Sequence, residues 1–330
     1  MTTLTSTRHA AVGAGRMGRS IAVAYALAGQ PCALVDLRER TPEAATRLRD
    51  EAQAEMAGIL AHLVSLGLLD AAQRPAVLAR IPWVDQADAP AVLAQAELIF
   101  EAVPETLHAK RDGLGVIGAL AGLQAIIAST SSTMQASELA GFLPHPERFL
   151  NAHWLNPAYL VPLVEVAPHV GTAPAVREAL LTDLRAAGKV PVVCNDAPGY
   201  IVPRLQVMVM NEAARMIEQG AASAEDIDLA IRYGFGIRYA AMGVAEFIDF
   251  GGLDTLFHAS GYLADRLGDA RYASPEIVNR KMAAGELGVK TGQGLYAWNA
   301  DSAARLQAES MRRFAALLKL QGLEPAAPPA

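Results

Sequence analysis

The sequence predicts an α/β protein: a doubly wound, mostly parallel sheet with a helical hairpin insertion, followed by an all-helical C-terminal domain. Three observations lead there. A strand, a glycine turn, a helix and a second strand follow one another between residues 9 and 37. Apolar, β-rich stretches then alternate with helical segments up to residue 195. After NDAPG (195–199) the apolar residues recur at helical spacing, and strand-like alternation stops.

The elements read as follows. A short apolar stretch, His9–Val12, leads into GAGRMG at 13–18, and an Ala-rich helix then runs to about Gly29. CALVDL (32–37) is the next strand, with Asp36 near its end. Residues 41–80 read as two helices broken near Gly67-Leu68, the hairpin insertion. ELIFEAV (97–103) and QAIIAST (124–130) are further strands separated by a helix. RFLNAHW, VPLVEV and KVPVVCN complete the β-rich part. Helices are expected at 200–219 and 224–233, with Pro203 in a first turn, where a missing N–H is tolerated. Ser302–Leu320 reads as an amphipathic helix, and EPAAPPA (324–330) as a frayed tail. The expected domains are 1–196 and 197–330.

Composition narrows the function. With 52% hydrophobic and 19% charged residues, the chain has an ordinary globular balance. Its net charge of −6, without basic clustering, argues against a nucleic-acid surface. No apolar run is long enough to span a bilayer, and the N-terminus lacks the apolar core of a signal peptide. The only two cysteines, Cys32 and Cys194, lie in apolar surroundings and form neither a disulfide framework nor a metal-ligand spacing. A cytoplasmic protein without a metal, acting on a small molecule, is expected.

The glycine turn has a specific mechanical reading because it joins a strand to a helix. Gly13 makes the tight turn, Gly15 lets the backbone approach a pyrophosphate, and Gly18 permits close packing of helix on sheet. The phosphates then meet the helix N-terminus, at Arg16 and Met17. Asp36, 23 residues after Gly13, is placed to accept hydrogen bonds from ribose hydroxyls and to repel a 2′-phosphate. A Rossmann-type domain binding NAD rather than NADP follows, although Arg38 stands two residues beyond Asp36.

The stretch NAHWLNPAYLVPLVEV (151–166) embeds His153 and Glu165 in an apolar run. Burying either group costs free energy unless it finds a partner. One account is a core histidine beside an exposed carboxylate. The other is a general base, since an imidazole with an ordinary pKa near 6.5 suits proton removal from an alcohol. A carboxylate on its other nitrogen would fix the tautomer and stabilise the imidazolium. Twelve positions separate the two, which permits two strands joined by a turn at Asn156-Pro157. Among the other histidines, His62, His108 and His258 read as helical, His145 and His169 as loop residues, and His9 as preceding the first strand.

Taken together, GAGRMG, EAVPE, ASTSSTM, AHWLNP, PLVEV, DAPGYIVPRL, EDID, GGLDT and KTGQGLY resemble, in order, the 3-hydroxyacyl-CoA dehydrogenase family. The resemblance implies an NAD-binding domain, a helical domain that dimerises, and His153 as base with Glu165 as its partner. It implies that Ser132 and Asn156 hold the substrate oxygen, that Glu105 and Lys110 line the nicotinamide side, and that Lys290 contacts the cofactor. The alternative for Ser132 is a hydroxyl that satisfies local backbone in the run 129–133.

Two departures bear on the substrate. Pro203 stands where the family usually has asparagine, so one polar contact is absent or replaced. GIRYAAMG stands where the family tends to Gly-Tyr-Pro-Met-Gly, which brings Arg238 near the expected substrate pocket. In this it resembles relatives acting on free hydroxy acids, L-gulonate 3-dehydrogenase and L-carnitine dehydrogenase. The family's hairpin is lysine-rich for CoA phosphates, whereas residues 51–74 here contain no lysine and only Arg74. A free 3-hydroxy acid is the preferred substrate class, and a short 3-hydroxyacyl-CoA such as 3-hydroxybutyryl-CoA the alternative. A salt bridge from Arg238 to Glu246 or Asp249 is the structural alternative for the arginine. A lysine-based β-hydroxyacid dehydrogenase is disfavoured, because the equivalent helix carries Arg204, Asn211 and Arg215 instead. A non-catalytic NADH-binding protein stays open, since a lens crystallin arose within this family.

Overall fold

The computed structural model describes residues 7–323, so the tail expected at 324–330 lies outside the described residues. It divides into two compact units, Met1–Val209 and Met210–Ala330. The division falls inside a helix, whereas the sequence reading sets the domain boundary at 196/197.

The first unit is built on eight strands: β1 (His9–Val12), β2 (Cys32–Val35), β3 (Trp83–Val84), β4 (Leu98–Glu101), β5 (Ile126–Ser129), β6 (Phe149–Trp154), β7 (Leu163–Pro168) and β8 (Val190–Val193). Their order is β3-β2-β1-β4-β5-β6-β7-β8. All neighbours are parallel except β6 and β7, which run antiparallel. Strand order reverses between β1 and β4, the point at which doubly wound sheets bind ligands. The two-residue β3 is absent from the sequence reading; it is too short to carry an alternation signal.

The helices of this unit are α1 (Arg16–Leu27), α2 (Pro42–Ser65), α3 (Arg74–Leu78), α4 (Ala89–Leu93), α5 (Leu107–Leu120), α6 (Ala136–Ala140) and α7 (Pro174–Ala186). Thr41 caps α2 by accepting from the Ala44 N–H, and Pro42 opens it. The hairpin's second arm is short, a single 3₁₀ turn followed by α3. Two apolar clusters cover the two faces of the sheet. Leu34, Phe100, Leu150, Trp154 and Val164 pack on one side, and Val12, Val35, Ile99, Ile127 and Phe149 on the other. His9 does not precede β1 but opens it. It is buried, with Nε2 2.8 Å from Asp183 of α7, and Tyr25 of α1 donates to the same carboxylate.

The helix α8 (Val202–Glu218) carries Pro203 as its second residue and runs across the division between the units. The second unit continues with α9 (Ala224–Ala230), a π-helical turn over Ile231–Gly236, α10 (Ile237–Ala241), α11 (Val244–Gly251), α12 (Leu253–Leu267), α13 (Glu276–Ala283) and α14 (Ala300–Leu320). Its centre of polar organisation is Asp249, fully buried on α11. That carboxylate accepts from the backbone of Leu295 and Tyr296 and from Trp298 Nε1, each at 2.8 Å. Gly294 passes so close that a Cβ there would stand 2.4 Å from Asp249 Oδ1. No helix among the described residues is long and apolar enough to cross a membrane.

Candidate active site

The glycine turn forms one wall of a cleft of about 710 Å³ in the first unit. Gly13 has φ +110, and a Cβ there would meet the Ala102 carbonyl oxygen at 2.5 Å. A Cβ on Gly18 would stand 2.0 Å from the Gly13 oxygen, so only glycine lets α1 seat against the turn. Gly15 differs: nothing lies within 4 Å of its Cβ position, and its backbone faces open space at the start of α1. Two glycines close the packing and one leaves a cradle, the arrangement that accepts a pyrophosphate at a helix N-terminus. Arg16, Met17, Asp36, Arg38, Arg40, Glu105, Ser132 and Asn156 line the rest of the cleft. These residues fit a bound dinucleotide.

His153 and Glu165 are register partners across β6 and β7. The pleat sends them to the face opposite Trp154 and Val164, which belong to the apolar cluster. His153 Nδ1 lies 2.7 Å from Glu165 Oε2. An ionised carboxylate only accepts, so Nδ1 carries the proton and Nε2 presents a lone pair. The other oxygen of Glu165 accepts from the Ile201 and Val202 N–H groups, at 2.9 and 2.7 Å. These belong to the N-terminal end of α8, where free N–H groups favour a negative charge.

Tyr200 makes that contact possible. It has φ +43, the sole positive φ of a non-glycine among the described residues, and follows Gly199 at φ +75. The pair of left-handed residues turns the chain so that the next two N–H groups meet Glu165. The phenol ring stacks on His153 with centroids 5.3 Å apart. Its hydroxyl engages the Ser131 and Met134 carbonyls, and Asn151 Nδ2 donates to it at 2.7 Å. Burial is the main cause pushing the phenol well above its ordinary value, so it stays protonated as a donor.

A second polar network supports the Ser132 loop. Glu105 Oε1 accepts from Ser131 Oγ and from the backbone of Ser132 (2.9 Å) and Thr133 (3.2 Å). Burial raises this carboxyl, but the Ser131 hydroxyl and Lys110 outweigh it and hold the group below the usual range. Glu105 is therefore a fixed anion that organises the loop. Lys110, expected to line the nicotinamide side, is instead fully enclosed. Its ammonium bonds both oxygens of the buried Glu101 (3.0 and 3.1 Å), pairs with Glu105 at 3.2 Å and donates to the Val103 carbonyl at 3.4 Å, so it supports the cleft wall from behind. Ser132 and Asn156 both line the cleft, and neither side chain has a hydrogen-bond partner among the described residues.

Comparison with known proteins adds the decisive observation. Residues 8–197 match the 3-hydroxyacyl-CoA dehydrogenase NAD-binding domain, and residues 199–298 match the C-terminal domain of the same family. The chain belongs to the 3-hydroxyacyl-CoA dehydrogenase family. It is an NAD-dependent oxidoreductase of that family, acting on a secondary alcohol. It is 33% identical to a 3-hydroxybutyryl-CoA dehydrogenase of Bradyrhizobium diazoefficiens, over 86% of this chain and 93% of the relative. It is 31% identical to the 5-formyl-3-hydroxy-2-methylpyridine 4-carboxylate 5-dehydrogenase of Mesorhizobium japonicum, over 69% and 74%. A solved 3-hydroxyacyl-CoA dehydrogenase of Archaeoglobus fulgidus superposes with a TM-score of 0.74 at 30% identity, covering 96% of this chain and all of that one.

Within this 3-hydroxyacyl-CoA dehydrogenase family chain, two expected site residues lie in the second unit. Lys290, expected to contact the cofactor, has its ammonium on Asp254 (2.6 Å to Oδ1), joining the KTGQGLY and GGLDT segments. Arg238, on α10, is exposed and has no acidic partner among the described residues. Neither salt bridge considered for it is formed. Glu246 accepts from the Gly243 N–H at 2.9 Å, and Asp249 is taken up by Leu295, Tyr296 and Trp298.

Sequence reasoning missed Glu101, Tyr200, Asp196 and Arg40. Asp196 caps α6 by accepting from Ala136 and Ser137 (2.7 and 2.8 Å), which ties the segment after β8 to the Ser132 loop. A signal existed for Glu101: a carboxylate ending an apolar strand, with Lys110 nine residues on. Arg40 bonds the Asp36 carboxylate from four residues away, and nothing in the sequence pattern marks it.

Proposed function

We propose that this dehydrogenase oxidises the 3-hydroxyl of a free 3-hydroxy acid to a 3-oxo acid, with His153 as base. His153 Nε2 takes the alcohol proton. Nδ1–H, held on Glu165, keeps the ring in the right tautomer and spreads the charge of the imidazolium. Ser132 and Asn156 hold the substrate oxygen through their unpartnered side chains. NAD⁺, when bound, supplies the acceptor for the hydride leaving the same carbon. Gly13, Gly15, Arg16, Met17, Gly18, Asp36 and Glu105 hold that cofactor.

The observation that carries the choice of a free acid is the unpaired guanidinium of Arg238, whose two acidic candidates, Glu246 and Asp249, are committed elsewhere. A planar donor of this kind suits a small carboxylate. The hairpin supports the same reading, because residues 51–74 offer a CoA phosphate no lysine. The relative from Mesorhizobium japonicum is named for a carboxylate that is not a CoA thioester. The test is kcat/KM for 3-hydroxybutyrate and related acids against 3-hydroxybutyryl-CoA. In Arg238→Met the KM for the acid should rise about one to two orders of magnitude, the ~1.5–3 kcal/mol of a hydrogen bond to a charged group. A thioester kcat/KM far above that of every free acid overturns the reading.

The second reading, a short-chain 3-hydroxyacyl-CoA dehydrogenase, is favoured by the relative from Bradyrhizobium diazoefficiens, and the same assay decides. We further propose a cytoplasmic homodimer. Its support is α8, which buries none of its own residues and exposes Leu205, Val207, Met208, Met210 and Ile217.

A further inference from the structure

The adenosine end of the cleft carries more positive charge than a lone aspartate implies. Asp36, at the end of β2, has a side chain only 8% exposed. Arg40 Nε donates to its Oδ2, Arg40 Nη2 to its Oδ1 at 3.4 Å, and the Arg38 backbone N–H also to Oδ1 at 3.4 Å. Asp36, Arg38 and Arg40 all line the cleft, as do Arg16 and Arg19. Arg19 is paired with Glu55, but Arg16 and Arg38 have no acidic partner among the described residues.

The ordinary effect of aspartate in this place is twofold. It accepts from the ribose hydroxyls, and its charge repels a 2′-phosphate. A carboxylate offers about four lone-pair sites, and Arg40 with the Arg38 N–H takes three of them, which leaves about one for a ribose hydroxyl. The repulsion is another matter. A guanidinium in contact with Asp36 cancels most of its charge as seen by an incoming phosphate, and Arg38 adds a second donor of the right sign.

We propose that Arg40 sets the cofactor discrimination of this enzyme. By neutralising Asp36 it makes the cleft NAD-preferring but not NAD-exclusive, and a 2′-phosphorylated dinucleotide binds there measurably, with Arg40 and Arg38 on its phosphate. The inference rests on the cofactor cleft alone and is independent of the substrate reading above.

The test is direct binding of NADH and NADPH to the full-length protein, followed by fluorescence, for wild type, Arg40→Gln and Arg40→Lys. The expected result is that the NADPH-to-NADH Kd ratio rises about tenfold in Arg40→Gln, the loss of one charge-assisted contact. In Arg40→Lys, which keeps the charge, most of the wild-type ratio is retained. An unchanged or falling ratio in Arg40→Gln overturns the proposal. Should the variants fail to fold, wild type decides. Adenosine 2′,5′-bisphosphate should displace NADH within about a hundredfold of the concentration at which 5′-AMP does, and failure to displace it at all overturns the proposal.

Discussion

His153 and Glu165 face each other across β6 and β7 as register partners, with Nδ1 2.7 Å from Oε2. The antiparallel turn between them makes a contact of residues twelve apart. Two N–H groups at the start of α8 hold the far oxygen of the carboxylate. Removing the histidine therefore removes the proton acceptor and leaves the cofactor cleft intact. In His153→Gln we expect kcat to fall by roughly 10²–10⁴-fold or more, with NADH affinity near wild type. Near-normal turnover would remove His153 from this role.

One crowded and one open glycine of the cofactor turn, Gly18 and Gly15, predict an asymmetric outcome. Gly18→Ala places a methyl 2.0 Å from the Gly13 oxygen and must displace α1 or the turn, so NADH binding should be lost and stability reduced. Gly15→Ala meets no protein atom and should leave the melting temperature near wild type while weakening NADH binding. Equal melting temperatures for the two variants would contradict the packing argument.

Asp249 is the polar anchor of the second unit. Asp249→Ala leaves three partly buried donors, those of Leu295, Tyr296 and Trp298, without their acceptor, and opens a gap at a fully buried site. Three hydrogen bonds to a charged group are lost together, each a net contribution of about 1.5–3 kcal/mol at most, so the variant should melt below wild type. Gly294→Ala should destabilise for the complementary reason, since its methyl would stand 2.4 Å from Asp249 Oδ1. A melt of either variant that overlays wild type would refute this.

Acid should act on the first unit through Asp183. Burial raises its carboxyl, but hydrogen bonds from His9 and then Tyr25 hold it below the ordinary value. A folded-state pKa below the unfolded one gives stability that is full above the unfolded pKa, about 3.9, and lost as pH falls through the folded value. The melting-temperature gap between wild type and Asp183→Asn should thus be full at neutral pH and close below about pH 4. A gap constant down to acid pH would exclude Asp183 as the titrating group.

The exposed apolar residues of α8 predict association. Light scattering at micromolar concentration should return twice the 34.8 kDa of one chain. Met210→Glu, placing a charge on a residue 67% exposed, should shift the protein towards the single-chain mass. A wild-type protein at the single-chain mass would end the dimer proposal.

The sequence by itself determined the architecture of the first unit and the helical nature of the second. Alternating apolar runs, a glycine turn between strand and helix, and a change of period after residue 195 are local signals, and backbone geometry answers to them locally. It also placed Gly13, Gly15 and Gly18, because each needs a conformation or clearance that a Cβ would spoil. Only the tertiary structure decided what the polar residues do. Lys110 and Lys290 read alike in sequence as cofactor contacts, yet one is enclosed between Glu101 and Glu105 and the other pairs with Asp254. Tyr200 stacks on His153, 47 residues away, because a left-handed turn brings it there. Hydrogen bonds and ion pairs act over about 3 Å between groups far apart in the chain, and no periodicity records such distances.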